Sequence, residues 1–313
     1  MKEKTKIGLA LTLCLLLCFV IQYFSSHLFD VIIFGLTILS VLEFKKLLLK
    51  SGMPTFDYCP ELACFLIFVT LFAGVLCGLS AMIILLIELA IVALFYVTIF
   101  VGSFLIFKKD LQNDKFRDLS NMSVKRFAFF KANNTLSCIL YPTILMFFLY
   151  LINHIQSLGL VGIEANTKGA PMGLFGLILL FATVCLSDTF AMIFGCLIKG
   201  KKIFPKISPK KTISGSICGL LGGIIGALLT GLVFSWIFPS VLGSVQLWKY
   251  IIVGFVGSIV AQAGDLFESY MKRKANVKDA GDLFKSHGGV LDRMDSIIFA
   301  APYFFICLLF MFG

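Results

Sequence analysis

Residues 172–195 read MGLFGLILLFATVCLSDTFAMIFG, and Asp188 is the only charged residue among these 24. An α-helix of this length is about 36 Å long, enough to cross a hydrocarbon core about 30 Å thick. Apolar runs of similar length recur along the 313-residue chain, which is 59% hydrophobic and 14% charged. The sequence therefore predicts an all-α polytopic membrane protein.

The apolar runs predict about nine transmembrane helices. They cover approximately residues 7–24, 28–42, 63–79, 81–107, 135–152, 172–195, 216–238, 248–265 and 296–313. If the chain alternates sides from an inner N-terminus, 25 of its 27 Lys and Arg residues fall on the inner side. Because cytoplasmic segments are enriched in Lys and Arg, this asymmetry predicts a cytoplasmic N-terminus and a C-terminus outside.

The same basic segments account for the net charge of +10. They lie beside membrane spans, where Lys and Arg contact anionic lipid headgroups. The charge therefore predicts membrane lipids as partners, and no segment resembles a module that reads nucleic acid.

Polar residues divide the chain into two regions. Residues 1–134 contain spans with few polar groups, Glu88 being the main exception, and are predicted to form N-terminal scaffold helices. From Gly173 onward, polar residues enter or border nearly every span. Residues 135–313 are therefore predicted to form a C-terminal transmembrane catalytic region.

Small residues form a stripe in the seventh predicted span. Gly215, Gly219, Gly223, Ala227 and Gly231 recur at steps of four. A stripe of this kind lets a neighbouring helix backbone approach closely, so it predicts a tight helix–helix contact.

Four carboxylates, those of Asp188, Asp265, Asp292 and Asp295, lie in or against predicted spans. An uncompensated charge costs about 2.5–3.5 kcal/mol at the centre of a membrane helix, so these groups need partners. Carboxylate oxygens suit Mg²⁺, and a shared cation would satisfy several at once. Two alternatives stay open: Asp292 could simply cap the N-terminus of the last span, and Asp265 could form a structural salt bridge with Lys272.

The loop from Lys199 to Thr212 ends in the sequence Ser-Pro-Lys-Lys-Thr at the start of the seventh span. Ser208, Lys210, Lys211 and Thr212 bring cationic and hydroxyl groups to a helix N-terminus. A helix N-terminus favours anions, so this segment is a candidate phosphate-binding site. Positive charge on the cytoplasmic side would by itself account for the earlier lysines of the loop.

Residues 269–295 read SYMKRKANVKDAGDLFKSHGGVLDRMD. This segment resembles the signature of phosphatidate cytidylyltransferases (CDP-diacylglycerol synthases). The positions in register are Ser269, Lys272, Arg273, Lys278, Asp279, His287, Gly288, Gly289, Asp292, Arg293 and Asp295. Upstream, Gly264-Asp265-Leu266, the Ser208–Thr212 segment and Asp188-Thr189 are similar to further motifs of that family. Ser214 departs from the pattern, because the family usually has Glu there.

The resemblance implies a reaction in which phosphatidic acid and CTP give CDP-diacylglycerol and pyrophosphate. It implies Mg²⁺ as cofactor at two divalent sites, with other divalent ions allowed. Asp265 and Asp292 are the first choices for metal ligands, followed by Asp295 and Asp188. The catalytic set is completed by Lys272 and Arg273.

Other residues are implied to bind the substrates. They are Ser208, Lys210, Lys211, Thr212, Ser269, Lys278, His287, Gly288, Gly289 and Arg293. His287 is interpreted as a positioning group, because the attacking phosphate is already ionised at neutral pH. The expected location is a bacterial inner (plasma) membrane with the active site facing the cytoplasm, and the resemblance allows a homodimer.

Two other functions are considered. A CTP-dependent membrane lipid kinase of the polyprenol or phytol type would share the basic loops but would release CDP. A secondary transporter would place its carboxylates near the bilayer midplane between inverted repeats, and no such repeat is evident in the sequence.

Overall fold

The computed structural model describes residues 2–111, 123–161, 171–238, 246–284 and 288–312. Within these ranges the regular secondary structure is helical, apart from one isolated antiparallel bridge between Lys202 and Thr212. The prediction of an all-α polytopic membrane protein is confirmed.

The helices follow the predicted spans in order. They are α1 (Lys2–Phe24), α2 (Ser26–Lys50), α3 (Cys59–Leu76), α4 (Ala81–Leu111), α5 (Val124–Cys138), α6 (Leu145–Asn153), α7 (Met172–Ile198), α8 (Ile213–Ile237), α9 (Leu247–Lys274) and α10 (Leu291–Phe312). The π-helical segment Ile139–Ile144 joins α5 to α6 in one continuous helical run, and it contains Pro142. Proline lacks the N–H group that an α-helix needs, and a π-helical turn accommodates that loss.

Eight helical runs in the described residues are long and apolar enough to cross a membrane, compared with about nine predicted spans. The remaining predicted span lies in α1 (Lys2–Phe24), where Ala10–Phe24 is also apolar. Large apolar side chains of α4, including Leu86, Leu89 and Leu94, are exposed, as expected for side chains that face lipid. The chain is therefore an integral membrane protein, and the sidedness of its termini stays a prediction.

Two compact units divide the chain, and each is assembled from discontinuous segments. Unit 1 contains residues 1–33, 145–270 and 293–313, and unit 2 contains residues 34–144 and 271–292. The division into a scaffold region (residues 1–134) and a catalytic region (residues 135–313) is a functional one and stays a prediction.

In unit 2, the acidic residue noted in the fourth predicted span has a specific partner. Glu88 on α4 is buried, and its Oε1 accepts a hydrogen bond of 2.6 Å from the hydroxyl of Thr70 on α3. This bond provides a polar partner for Glu88 inside an apolar helix pair.

In unit 1, the glycines of α8 allow close packing on both sides of the helix. A Cβ atom on Gly223 would overlap Ser258 of α9, and one on Gly231 would lie 2.6 Å from the ring of Tyr250. A second pair of glycines, Gly222 and Gly226, lies outside the predicted stripe and faces α7. A Cβ on Gly222 would lie 2.5 Å from the carbonyl oxygen of Leu186, and one on Gly226 would lie 2.7 Å from that of Ala182. The predicted tight contact is therefore two contacts, one with α7 and one with α9.

We expect Gly226→Ala to destabilise the protein by about 1–3 kcal/mol, the usual cost of overpacking. The added methyl would meet the Ala182 carbonyl and the Thr183 Cα, which are backbone atoms that no change of rotamer can move. Thermal unfolding of the detergent-solubilised protein measures the effect.

Gly35→Ala in α2 is the matched control, because a Cβ there would meet nothing within 4 Å. Alanine also favours a helix over glycine, so this variant should unfold at or slightly above the wild-type temperature. Equal melting temperatures for Gly226→Ala and wild type would contradict the α7–α8 contact.

Candidate active site

The carboxylate of Asp265, on α9 in unit 1, contacts two residues of the predicted site. The Lys211 ammonium lies 2.7 Å from Oδ2, and the Ser269 hydroxyl donates a 3.2 Å hydrogen bond to Oδ1. Ser269 is one helical turn after Asp265, so the two side chains share the face that helical spacing predicts. The structure therefore brings Lys211, Asp265 and Ser269 together.

The loop between α7 and α8 brings Lys211 to this position. Its two arms pair through hydrogen bonds from the Ile203 N–H to the Lys211 carbonyl (3.2 Å) and from the Ile213 N–H to the Lys201 carbonyl (2.8 Å). Thr212 then caps α8, because its side-chain oxygen accepts the N–H of Gly215. The predicted helix N-terminus is thus present, with the Thr212 hydroxyl used as its cap.

Asp188 and Asp295 belong to the same group of charges. Asp188 lies on α7 and is exposed within the chain, whereas Asp295 on α10 is buried. Asp188 interacts electrostatically with Asp265, Asp295 and Lys211. Carboxylates that are far apart in the sequence and lie on three helices therefore meet in unit 1. We call Asp188, Asp265, Asp295 and Lys211 the aspartate cluster.

A glycine allows α9 and α10 to approach closely beside this cluster. A Cβ on Gly264 would lie 2.7 Å from the Asp295 carbonyl oxygen and 2.7 Å from the Phe299 Cβ. Any larger residue would push the two helices apart. Glycine precedes Asp265 in the motif because a side chain at position 264 would collide with α10.

The donors of the aspartate cluster suit a magnesium ion. The cluster combines three carboxylates with one ammonium, and hard oxygen ligands are those that Mg²⁺ prefers. Their oxygen atoms are not all within 4.8 Å of one another; among the described residues, that spacing is met by a different group, His27, Asp30 and His154. Because Mg²⁺ retains several waters and also binds substrate phosphates, the wider spacing is compatible with it.

In unit 2, Asp292 organises the segment that precedes α10. Its Oδ1 accepts a 2.8 Å bond from the Lys272 ammonium. Its Oδ2 accepts N–H bonds from Ala280 (2.8 Å), Gly289 (2.8 Å) and Gly281 (3.5 Å). The sequence left open a salt bridge between Asp265 and Lys272. In the structure, Asp265 is paired with Lys211 and Lys272 is paired with Asp292. Asp292 closes a loop of the signature onto the first turn of α10, which agrees with its alternative interpretation as a helix-terminal group.

Glu43, which the sequence did not indicate, stabilises the same segment. It lies on α2, is buried, and accepts N–H bonds from Val290 (3.1 Å) and Leu291 (2.8 Å) at the start of α10. A Cβ on Gly281 or Gly289 would overlap its carboxylate. Glu43 lies just past the end of the second predicted span, where an acidic residue near lysines resembles an ordinary solvated one.

The other predicted site residues have simpler surroundings. Arg273, Lys278, Lys210 and Arg293 are exposed, and Ser208 is half-buried. Gly288 is buried with φ of 79°, a left-handed conformation that favours glycine. His287 lies outside the described residues.

Comparisons with known proteins identify the family of the chain. The model of the cytidylyltransferase family matches residues 4–311. A phosphatidate cytidylyltransferase of Rickettsia typhi is 45% identical over 129 residues, which are 41% of this chain and 56% of that protein. One from Staphylococcus saprophyticus is 31% identical over 188 residues, 60% of this chain and 63% of that protein.

These alignments span less than two thirds of the relatives' own length. The family model, in contrast, extends over nearly all of the chain and includes both the aspartate cluster and the segment around Asp292. The chain belongs to the cytidylyltransferase family.

Proposed function

We propose that the protein transfers the cytidylyl group of CTP to phosphatidic acid, giving CDP-diacylglycerol and pyrophosphate. The observation that carries the proposal is the aspartate cluster, with carboxylates from α7, α9 and α10 beside Lys211 in a chain of the cytidylyltransferase family. The similar proteins reported above are named phosphatidate cytidylyltransferases, and those names do not favour a lipid kinase or a transporter.

The proposed reaction joins two anions, so charge neutralisation and positioning are its main requirements. A phosphate oxygen of phosphatidic acid forms a bond to the α-phosphorus of CTP, and the bond from that phosphorus to the bridging oxygen of pyrophosphate breaks. The attacking phosphate has a second pKa of about 6, by analogy with other phosphomonoesters, so it is already ionised at neutral pH. No side chain is needed as a general base, and His287 is proposed as a positioning group.

Asp188, Asp265 and Asp295 would hold Mg²⁺ in this proposal. When bound, the ion supplies positive charge against the phosphates. The Lys211 ammonium already neutralises part of the negative charge of the cluster through Asp265. We propose that it moves to a phosphate when substrate binds, because carboxylate and phosphate both accept charge-assisted hydrogen bonds. The second divalent site and the role of Asp292 as its ligand stay predictions from the family resemblance.

For unit 2, the proposal assigns a positioning role to the contacts of Asp292. Lys272 and three backbone N–H groups hold its carboxylate, and Glu43 holds the next two N–H groups of the chain. The backbone N–H groups held in this way belong to residues 280, 281 and 289–291, which lie within the described part of the signature segment.

We further propose a bacterial inner membrane as the location, with the nucleotide bound from the cytoplasm. The distribution of Lys and Arg supports this sidedness. The relatives reported above come from bacteria. A homodimer stays a prediction.

Purified protein in mixed micelles should convert labelled CTP and phosphatidic acid into CDP-lipid and pyrophosphate when Mg²⁺ is present. Asp188→Asn, Asp265→Asn and Asp295→Asn should each lower the rate by about 100-fold or more, because each removes a carboxylate from the site of charge neutralisation. Separation of labelled nucleotides and lipids by chromatography measures both products.

Asp57→Asn is the matched control, because the side chain of Asp57 is 81% exposed and lies in the loop before α3. It should keep the wild-type rate. Release of CDP in place of pyrophosphate would overturn the proposed reaction, and near wild-type turnover in an aspartate-cluster variant would remove that residue from the site.

Glu43→Gln should lower the rate by about 100-fold, although Glu43 is proposed to touch no substrate. The amide keeps one acceptor oxygen but turns its NH₂ group toward a backbone N–H, so the start of α10 shifts, and shifts of about 1 Å have costs of this size. Hydrogen exchange should speed up at the Val290 and Leu291 amides.

Glu88→Gln makes the same change at another buried glutamate, the one bonded to Thr70. It should leave the rate and the exchange of the Val290 and Leu291 amides unchanged. Unaltered exchange in Glu43→Gln would show that these hydrogen bonds do not hold the segment.

A further inference from the structure

Two of the three histidines of the chain meet at one buried aspartate in unit 1. His27 and Asp30 lie in the first turns of α2, and His154 directly follows α6. His154 and Asp30 are 124 positions apart in the sequence, so the fold, not local spacing, brings them together. None of the three belongs to the aspartate cluster or to the signature segment.

The potential ligand atoms of this group are close enough to share one ion. His154 Nε2 lies 2.8 Å and His27 Nδ1 lies 3.5 Å from Oδ2 of Asp30. All three ligand atoms are within 4.8 Å of one another. In a tetrahedral zinc site with bonds of 2.0–2.1 Å, ligand atoms are about 3.3 Å apart, so small side-chain movements would accommodate the ion.

A cation at this position would offset the free-energy cost of burying the Asp30 carboxylate. Asp30 is 0% and His154 is 1% exposed, and an ionised carboxylate in an apolar membrane helix is costly without a positive partner. The side chain of His27 is 45% exposed, so the group is open on one side. An ion could therefore enter from that side and retain a water as its fourth ligand.

Neighbouring amides fix the carboxylate in the way that supporting groups around metal sites do. The Asn153 amide donates 2.8 Å and 3.1 Å bonds to Oδ1 of Asp30 and to the Ser26 carbonyl. Gln22 in turn donates a 3.0 Å bond to Oδ1 of Asn153. Oδ1 of Asp30 is thereby held by an amide, and Oδ2 faces the two imidazoles.

We propose that His27, Asp30 and His154 bind a divalent transition-metal ion of the zinc type. Imidazole nitrogen suits zinc and its neighbours in the periodic table, whereas Mg²⁺ prefers an all-oxygen set. A simple Asp–His ion pair would need only His154; the second imidazole, stacked on the first with ring centroids 5.4 Å apart, supplies the third ligand. Binding replaces the proton shared by His154 and Asp30, and that proton passes to water.

The ion would link the start of α2 to the end of α6 within unit 1. Bound metal stabilises the state that holds it, so zinc should raise the unfolding temperature of the protein. The site is independent of the proposed cytidylyl transfer, and its test therefore uses binding and spectroscopy in place of turnover.

Zinc should bind the chelator-stripped, purified chain in detergent at one ion per chain, as measured by competition with a chromophoric chelator in the presence of excess Mg²⁺. The Mg²⁺ keeps the aspartate cluster occupied by its proposed ion, so the zinc counted is that of the histidine site. His27→Ala and His154→Gln should each weaken binding by more than 10-fold, and Asn153→Ala by about 10–100-fold, the usual cost of losing a supporting hydrogen bond. His27 is partly exposed, so its replacement preserves the fold even if His154→Gln unfolds the protein. Zinc X-ray absorption should show nitrogen and oxygen ligands.

His287→Ala is the matched histidine control, and Asp265→Asn is the control for the aspartate cluster; both should bind zinc as wild type does. Sulfur ligands in the absorption spectrum would indicate the cysteines instead and overturn the proposal. So would unchanged zinc affinity in His27→Ala, or the absence of stoichiometric zinc binding to wild type.

Discussion

Charges placed in an apolar chain need partners, and this constraint explains the ion pairs on which the sites of the structure depend. Asp265 is paired with Lys211, Asp292 with Lys272, and Asp30 with His154. Each partner comes from a different part of the chain, so each pair also fixes one helix end or loop to another. In a medium without water, the alternative would be an uncompensated carboxylate, which is too costly for several sites at once.

The carboxylates differ in how far their oxygen atoms are already engaged by other groups. The carboxylate of Asp292 is fully engaged by an ammonium and backbone N–H groups, which suits a group that shapes a loop. Asp188 is exposed and interacts with two like charges and with only one ammonium, that of Lys211, so negative charge is in excess in the aspartate cluster. The contrast supports assigning positioning to the first residue and cation binding to the second in the proposed reaction.

The sequence predicted the helices well because apolar length alone identifies a membrane span. It placed their ends less well: the second predicted span stopped at residue 42, whereas α2 continues to Lys50. Hydropathy falls at Glu43, Lys45 and Lys46, but the backbone hydrogen bonds of a helix do not depend on the hydropathy of its side chains. The motif residues near Asp265 were identified through the family resemblance, and helical spacing accounts for the bond between Ser269 and Asp265.

Long-range partners could not be predicted in this way. Glu43 lies 247 positions before Val290, and no local pattern connects a helix end on α2 with the first turn of α10. The same holds for Asp30 and His154. Such pairs depend on tertiary packing, which a single sequence does not encode in any periodicity.

The position of Asn153 and His154 at the end of α6 has a consequence for how the unit 1 histidine site is oriented. Both side chains contact Asp30, one through its amide and the other through its imidazole. Each residue of an α-helix advances the side-chain direction by about 100° about the helix axis. A chain that gained or lost one residue within α6 would therefore turn the supporting amide and the imidazole away from Asp30 together. The length of α6 thus sets the direction of both groups and matters more for this site than the composition of its lipid-facing side.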